Sequence, residues 1–335
     1  MKVVIVHNII SAYKTRLFNV LAKSLGADLR VIYLGETESQ REWSIDTKII
    51  AFAYEVLFRG KVDRVNPFKV VISLISRLSA HSPQVIIISG SNYNYLAYLG
   101  ALLWSKIRRK KIVLVIESYR SVKELDFVMK FLKKFVIRRF DGVIVAGSRH
   151  KSYVVNLGID PKRVFVMNGV GILDHLAWPQ DLPKPRSEKE VICRKMNLPA
   201  DNFLYVGRFS KEKNLIFMLE AFRKIKQQGN YPWGMILVGD GPQKRELVDF
   251  VNRNNIADVY FPGFRQAPEL TMFYELGTVF ILPSLVEPWG LVVEEAMLSG
   301  LPVLVSRNCG CYPDMINEGV NGFHFPPGIT NSFLI

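Results

Sequence analysis

Two segments in the second half of the sequence are composed as a site for an anionic ligand would be. The first runs Glu287-Pro288-Trp289-Gly290-Leu291-Val292-Val293-Glu294-Glu295-Ala296 and separates Glu287 from Glu295 by seven residues. An apolar strand at 279–282 precedes it and a helix starts near Gly290. Glycine there lets backbone approach a ligand closely. The N–H groups of Gly290, Leu291 and Val292 lack partners inside the helix and point at an anion that the helix dipole also favours. A phosphate at this position would have Glu287 beside it on the sugar side. Glu295, about one and a half turns into the helix, would reach a ribose hydroxyl. The second segment, Gly207-Arg208-Phe209-Ser210-Lys211-Glu212-Lys213-Asn214, places Arg208 and Lys213 on one loop. An arginine fork plus a lysine point charge suits a diphosphate. Each segment also has a plainer reading, as a helix start with acids suited to the dipole and as a solvated basic turn. Both sit at carboxyl ends of strands in one sheet, where open α/β sheets bind ligands.

The elements that must hold these residues alternate along the chain. Apolar strands fall at 3–7, 28–34, 85–89, 111–116 and 142–146, with helical periods at 15–25, 68–78, 95–107 and 127–140. In the first of these helices Leu17, Val20, Leu21 and Leu25 are expected to face inward. Residues 168–200 break the pattern with Asn168-Gly169-Val170-Gly171 and with Pro179, Pro183 and Pro185, which reads as a linker. The alternation then restarts, with strands at 203–206, 235–238, 259–261, 279–282 and 302–305, and helices at 214–227, 244–254, 268–276 and 290–299. Continuous apolar strands alternating with helices mean parallel sheets covered on both faces. The expected fold class is α/β, with two Rossmann-like parallel-sheet domains facing an interdomain cleft. The boundaries are 1–168, a linker and domain start at 169–200, and a donor domain at 201–335.

Composition narrows the function classes. At 335 residues with 49% hydrophobic content, the chain suits two real cores and excludes disorder. Its three cysteines, Cys193, Cys309 and Cys311, are too few for a disulfide framework, no metal site is expected, and a reducing cytosol is the simplest compartment. Apolar runs at 68–78 and 95–104 are too short to span a bilayer, and no signal-peptide pattern opens the chain. The expectation is a cytoplasmic protein, soluble or peripheral on the cytoplasmic membrane face. Charge is unevenly distributed: residues 1–170 hold 28 Lys and Arg against 12 Asp and Glu, whereas 171–335 hold 16 against 18. The basic half suggests an anionic membrane surface as partner. Leu125, Phe127, Met129, Phe131, Leu132, Phe135, Val136 and Phe140 interleave with Lys130, Lys133, Lys134, Arg138 and Arg139, as in a helix lying among headgroups or in a core helix with a solvated basic face. No base-reading element is present, so nucleic acid is not an expected partner.

Gly207-Arg208-x4-Lys213 followed by Glu287-x7-Glu295 resembles the retaining glycosyltransferases of family 4, of GT-B fold. Val238-Gly239-Asp240-Gly241-Pro242, Gly263-Phe264, the hinge-like Asn168-Gly169-Val170, Gly300-Leu301-Pro302-Val303 and Gly319-Val320-Asn321-Gly322-Phe323 extend the resemblance over most of the chain. It implies that Arg208, Lys213 and Glu287 are catalytic, the cations holding the donor diphosphate and Glu287 the sugar. It implies donor contacts from Gly207, Gly263, Phe264, Gly290, Leu291, Val292 and Glu295. The implied co-substrate is a nucleotide-sugar such as a UDP- or GDP-hexose, with no other cofactor and no metal. The implied acceptor is a lipid-linked or carbohydrate precursor. Where many relatives carry a histidine after the strand at 111–116, this sequence has Glu117-Ser118-Tyr119. Ser11, Glu117 and Ser118 are candidate acceptor or sugar contacts, and Tyr13 and Lys14 could face acceptor or phosphate. The family's C-terminal helices are not in this sequence, which suggests truncation and weaker activity. A nucleotide-sugar epimerase of the same fold and a non-catalytic nucleotide-binding relative remain as alternatives.

Overall fold

Strands that are apolar on both sides must be covered on both sides, and this dictates the architecture. A computed structural model describes residues 1–25, 28–39, 47–90, 95–118, 127–171, 185–229, 231–266 and 269–328. Expectations placed on Tyr119, Leu125, Pro179, Pro183, Pro268 and the tail from 329, and on the side chains of Phe127, Met129 and Lys130, lie outside what is described. The chain divides into two units, Met1–Ile172 and Leu173–Ile335.

The first unit is built on a seven-stranded parallel sheet. Its strands are β1 (Lys2–His7), β2 (Asp28–Thr37), β3 (Ala53–Lys61), β4 (Val85–Ile88), β5 (Lys111–Ile116), β6 (Gly142–Val145) and β7 (Val164–Val166), in the order β3-β2-β1-β4-β5-β6-β7. The helices are α1 (Ala12–Leu25), α2 (Pro67–His81), α3 (Tyr95–Ile107), α4 (Phe127–Ile137) and α5 (Ser148–Asn156). The pleat of β1 sorts its residues between two cores. Val3 and Ile5 join Phe18 of α1 with Leu29, Val31 and Tyr33. Val4 and Val6 face the other way, onto Leu74 and Leu78 of α2 and Ala101 of α3. In α1 the expected inward stripe holds for Leu17 and Leu21, which pack on the core beside buried Lys14, Thr15 and Phe18, and is corrected for Val20 and Leu25, which are exposed. The helix carries more apolar residues than one face can bury, so the phase set by Phe18 wins. The edge strands β3 and β7 and the helix α5 were not expected from the sequence. Edge strands are half exposed, and their apolar signal is correspondingly diluted.

The second unit holds a six-stranded parallel sheet. Its strands are β8 (Asn202–Val206), β9 (Gly234–Val238), β10 (Val259–Gly263), β11 (Val279–Leu282), β12 (Val303–Ser306) and β13 (Gly322–Phe325), ordered β10-β9-β8-β11-β12-β13. The helices are α6 (Arg186–Lys195), α7 (Leu215–Gln227), α8 (Lys244–Arg253), α9 (Glu269–Leu276) and α10 (Leu291–Leu298). Helix α6 lies inside the stretch that reads as linker. It buries only Cys193, so its periodicity is hidden. Lys189 Nζ nonetheless ties it to the sheet, donating to Gly277 O at 2.8 Å and Thr278 Oγ1 at 2.7 Å.

Beyond the carboxyl ends of β8 and β9 the two loops pack backbone against backbone. Gly207 N donates to Val238 O at 3.0 Å, Phe209 N to Asp240 O at 2.8 Å, and Gln243 N to Phe209 O at 3.0 Å. A Cβ on Gly239 would fall 1.9 Å from Gly207 O, at a φ of +147° that L side chains avoid. Gly239→Ala is therefore expected to destabilise the second unit by about 2–4 kcal/mol, combining overpacking with backbone strain. Urea denaturation checks this; a wild-type midpoint would mean that the two loops separate without loss.

Candidate active site

The strand order of the second sheet reverses between β8 and β11, so the connections leaving those two strands diverge and open a crevice at their carboxyl ends. Both predicted segments start there. The loop after β8 carries Arg208, whose side chain is exposed, and ends at Lys213 and Asn214. Asn214 adopts a left-handed conformation, φ 59°, which turns the chain directly into α7. The loop after β11 is held from both sides. Leu285 N donates to Glu212 O at 2.8 Å, and Gly310 N and Cys311 N donate to Glu287 O and Trp289 O at 2.9 and 3.0 Å. Across this junction Lys213 Nζ forms an ion pair with Glu287 Oε2, both side chains being largely buried. The structure thus brings together two predicted residues that are 74 positions apart.

Gly290 ends this loop at φ 108° and starts α10 without any side-chain cap. The first-turn N–H groups around Leu291 and Val292 consequently have no intrahelical acceptor. A β-carbon at Gly290 would also press on Leu282, Cys311 and Val293 at 3.3–3.4 Å. Glycine is required by conformation and by space. Gly263 closes β10, its carbonyl accepting from Gly239 N at 2.9 Å, and leaves Phe264 exposed beyond it. The loops after β8, β9 and β10 therefore form one continuous hydrogen-bonded rim.

Glu295 is placed differently from a solvent-facing acceptor. Its carboxyl is buried at 7% exposure and accepts from the Tyr274 hydroxyl at 2.5 Å. Burial pushes its pKa up to about 7; the Tyr274 hydrogen bond opposes this and neighbouring Glu294 adds to it. Ser284, directly after β11, is a polar group that sequence reasoning missed. It is fully buried and its Oγ has no hydrogen-bond partner among the described residues. Tyr274 was missed as well, because an aromatic in a helix reads as core until its partner is known.

In the first unit the order reverses between β1 and β4. Ser11 follows β1, buried, its Oγ unpartnered among the described residues. Glu117 and Ser118 follow β5, half-buried. Lys14 is corrected from a ligand-facing cation to a buried one: it is 1% exposed and ion-paired with Glu117. The first turn of α1 is docked against the sheet by Thr15 and Phe18, which carries Lys14 inward with them. Burial raises the Glu117 pKa, while Lys14 opposes the shift. His7, also buried, donates from Nδ1–H to Ser89 O at 2.7 Å and is held neutral, its pKa lowered to about 3 by burial and then by the Lys14 charge.

The family described as Glycosyl transferases group 1 matches residues 194–333. The match lies within the second unit. Over 128 residues the chain is 38% identical to the sulfoquinovosyl transferase SQD2 of Arabidopsis thaliana, covering 37% of this chain and 23% of that one. Over 135 residues it is 30% identical to the alpha-monoglucosyldiacylglycerol synthase of Acholeplasma laidlawii, covering 39% of this chain and 33% of that one. These matches span well under two thirds of either relative. The crystal structure of Anabaena Alr3699/HepE in complex with UDP superposes with a TM-score of 0.73 at 20% identity, over 99% of this chain and 88% of that one. That likeness establishes the fold, an α/β architecture of the GT-B type. The group 1 domain contains every residue of the rim described above.

The buried Glu295 gives the group 1 domain a pH signature. Its pKa is raised in the fold, from 4.5 to about 7, so its contribution to stability is complete below the unfolded value and is lost as pH rises through 7. The expected loss is on the order of 3 kcal/mol. Glu295→Gln should remove that part of the slope. Urea midpoints of variant and wild type at about pH 5 and about pH 8 measure the difference; parallel slopes would assign the titration to another group.

Proposed function

We propose that this chain is a glycosyltransferase that moves a hexose from a nucleotide-diphosphate sugar to a lipid-linked or polysaccharide-precursor acceptor with retention of anomeric configuration. One observation carries the reading: Lys213 and Glu287 meet at the uncapped start of α10, beside the point where the second sheet reverses order. A diphosphate seated there would take the Lys213 ammonium and the exposed Arg208 guanidinium as counter-charges, with the α10 amides completing its shell. Its arrival releases Glu287 from the ion pair to accept from a sugar hydroxyl. As the sugar–phosphate bond breaks, negative charge grows on the departing nucleotide, and the two cations and the helix dipole stabilise it most at that stage. These groups neutralise the leaving group without a metal, so turnover should survive a chelator. On the retaining route the departing phosphate oxygen takes the acceptor proton on the face it leaves.

Glu295 is read as the ribose acceptor, reached by exchange of its Tyr274 hydrogen bond. Phe264 and the Gly263 backbone are read as the base contact. Ser11, Glu117 and Ser118 are assigned to the acceptor side by the resemblance and by their place at the carboxyl edge of the first sheet. Cys193, Cys309 and Cys311 are buried as thiols, which suits a reducing cytoplasmic site of action.

A donor screen tests the reading. UDP-, GDP- and ADP-sugars are compared by thermal shift, and the stabilising one is then assayed for transfer. A nucleotide that binds without transfer to any acceptor would favour the non-catalytic alternative, and conversion of the sugar without acceptor would favour an epimerase. Lys213→Ala is expected to weaken nucleoside-diphosphate binding by about 1.5–3 kcal/mol, the range for a hydrogen bond to a charged group. Calorimetric titration of the folded variant checks this; unchanged affinity would remove Lys213 from the donor site.

A further inference from the structure

Helices α2 and α3 cover the same face of the first sheet, and their outer surfaces carry exposed large apolar side chains among basic and small polar ones. On α3 the residues Leu96, Leu99, Leu103 and Ile107 recur at helical spacing and are exposed, Leu103 at 64% and Ile107 at 70%. The opposite side of α3 buries Ala97, Ala101 and Trp104. On α2, Phe68 and Ile72 are exposed at 68% and 70%, opposite buried Val70, Leu74 and Leu78. The helices are pressed together, since a Cβ on Gly100 would lie 2.9 Å from Val71 Cγ1, and Trp104 Nε1 donates to Ser79 Oγ at 2.9 Å. The two exposed stripes therefore form one continuous face. A monomer's core does not need this face, because the inner sides of both helices already close it.

We propose that this α2–α3 face docks onto an anionic lipid bilayer. Charge selects the occupant. Neither helix contains a single acidic residue. Lys69 is exposed on α2, and Lys106, Arg108 and Arg109 are exposed at the end of α3. Arg108 and Arg109 enter no ion pair among the described residues, whereas Lys106 is held by Asp141 at 3.1 Å. A second copy of the chain would set this basic face against another basic face, which charge disfavours. Anionic headgroups neutralise it, and the acyl boundary takes Phe68, Ile72, Leu103 and Ile107. Among the described residues no helix is long and apolar enough to cross a membrane, so the contact is with the surface. The proposal stands apart from the glycosyl-transfer reading, because binding to vesicles requires neither donor nor acceptor and either reading can fail alone.

Vesicle co-sedimentation of the full chain tests it, comparing phosphatidylcholine with a phosphatidylcholine–phosphatidylglycerol mixture. Binding is expected to the anionic vesicles only and to weaken with added salt. The pair Leu103→Gln and Ile107→Gln should lower binding more than about tenfold with an unchanged melting temperature, as both side chains are already in water. Lys69→Glu with Arg108→Glu should lower it as well. Equal binding to neutral vesicles, wild-type binding by the glutamine pair, or a dimer in light scattering that the glutamine pair dissolves would each overturn the proposal.

Discussion

The Lys213–Glu287 ion pair joins two loops that backbone hydrogen bonding also brings together, Leu285 N donating to Glu212 O at 2.8 Å. Each leaves its own strand at the point where the second sheet reverses order, and the loop after β11 is held from its other side by Gly310 N and Cys311 N, which donate to Glu287 O and Trp289 O. A largely buried pair of this kind contributes little net stability, since desolvation offsets most of the attraction. In the proposed donor site its value lies in holding a cation and an acceptor in place, between loops fixed by backbone hydrogen bonds. A ligand with a phosphate and a hydroxyl can replace each partner with a better one. The organisation cost has been met in folding and is not charged again on binding.

Rigidity at this rim comes from glycine in two distinct ways. At Gly239 the neighbouring backbone stands where a side chain would be, so the loops after β8 and β9 are locked by direct contact. At Gly290 the positive φ lets the chain enter α10 with no cap, which leaves amides at the helix start unclaimed by the protein itself. A serine or aspartate cap there would satisfy those donors and close the site to an anion. The absence of a cap, which in an isolated helix would be a weakness, is what the proposed donor site draws on.

The two units treat their polar groups differently. The second keeps Arg208 exposed on the loop that ends at Lys213. The first draws Lys14, Glu117 and His7 beneath its carboxyl edge, where burial holds His7 neutral and the Lys14–Glu117 pair satisfies itself. Part of its positive charge, Lys69, Lys106, Arg108 and Arg109, lies on or just after the outer helices α2 and α3, beside exposed leucine, isoleucine and phenylalanine. The first unit thus presents a surface, and the second presents a crevice.

Much of this was legible in the residue order alone. Runs such as Val3-Val4-Ile5-Val6 and Phe280-Ile281-Leu282 can only be strands covered on both faces, which fixes the fold class. The spacing of Arg208, Lys213, Glu287 and Glu295 marked two segments that the fold gathers at the carboxyl ends of β8 and β11, because glycine, cations and a helix start announce themselves locally. Edge strands β3 and β7 and the polar helix α6 escaped, since half-exposed elements lose the contrast on which periodicity depends. Whether a charged side chain is an outward ligand group or an inward partner is not a local property. Lys14 and Glu117 are 103 positions apart, and Tyr274 and Glu295 are 21 apart. Burial and pairing arise only when packing brings distant segments together, so tertiary structure alone decided that Lys213 faces Glu287, that Lys14 turns inward, and that Glu295 carries a raised pKa.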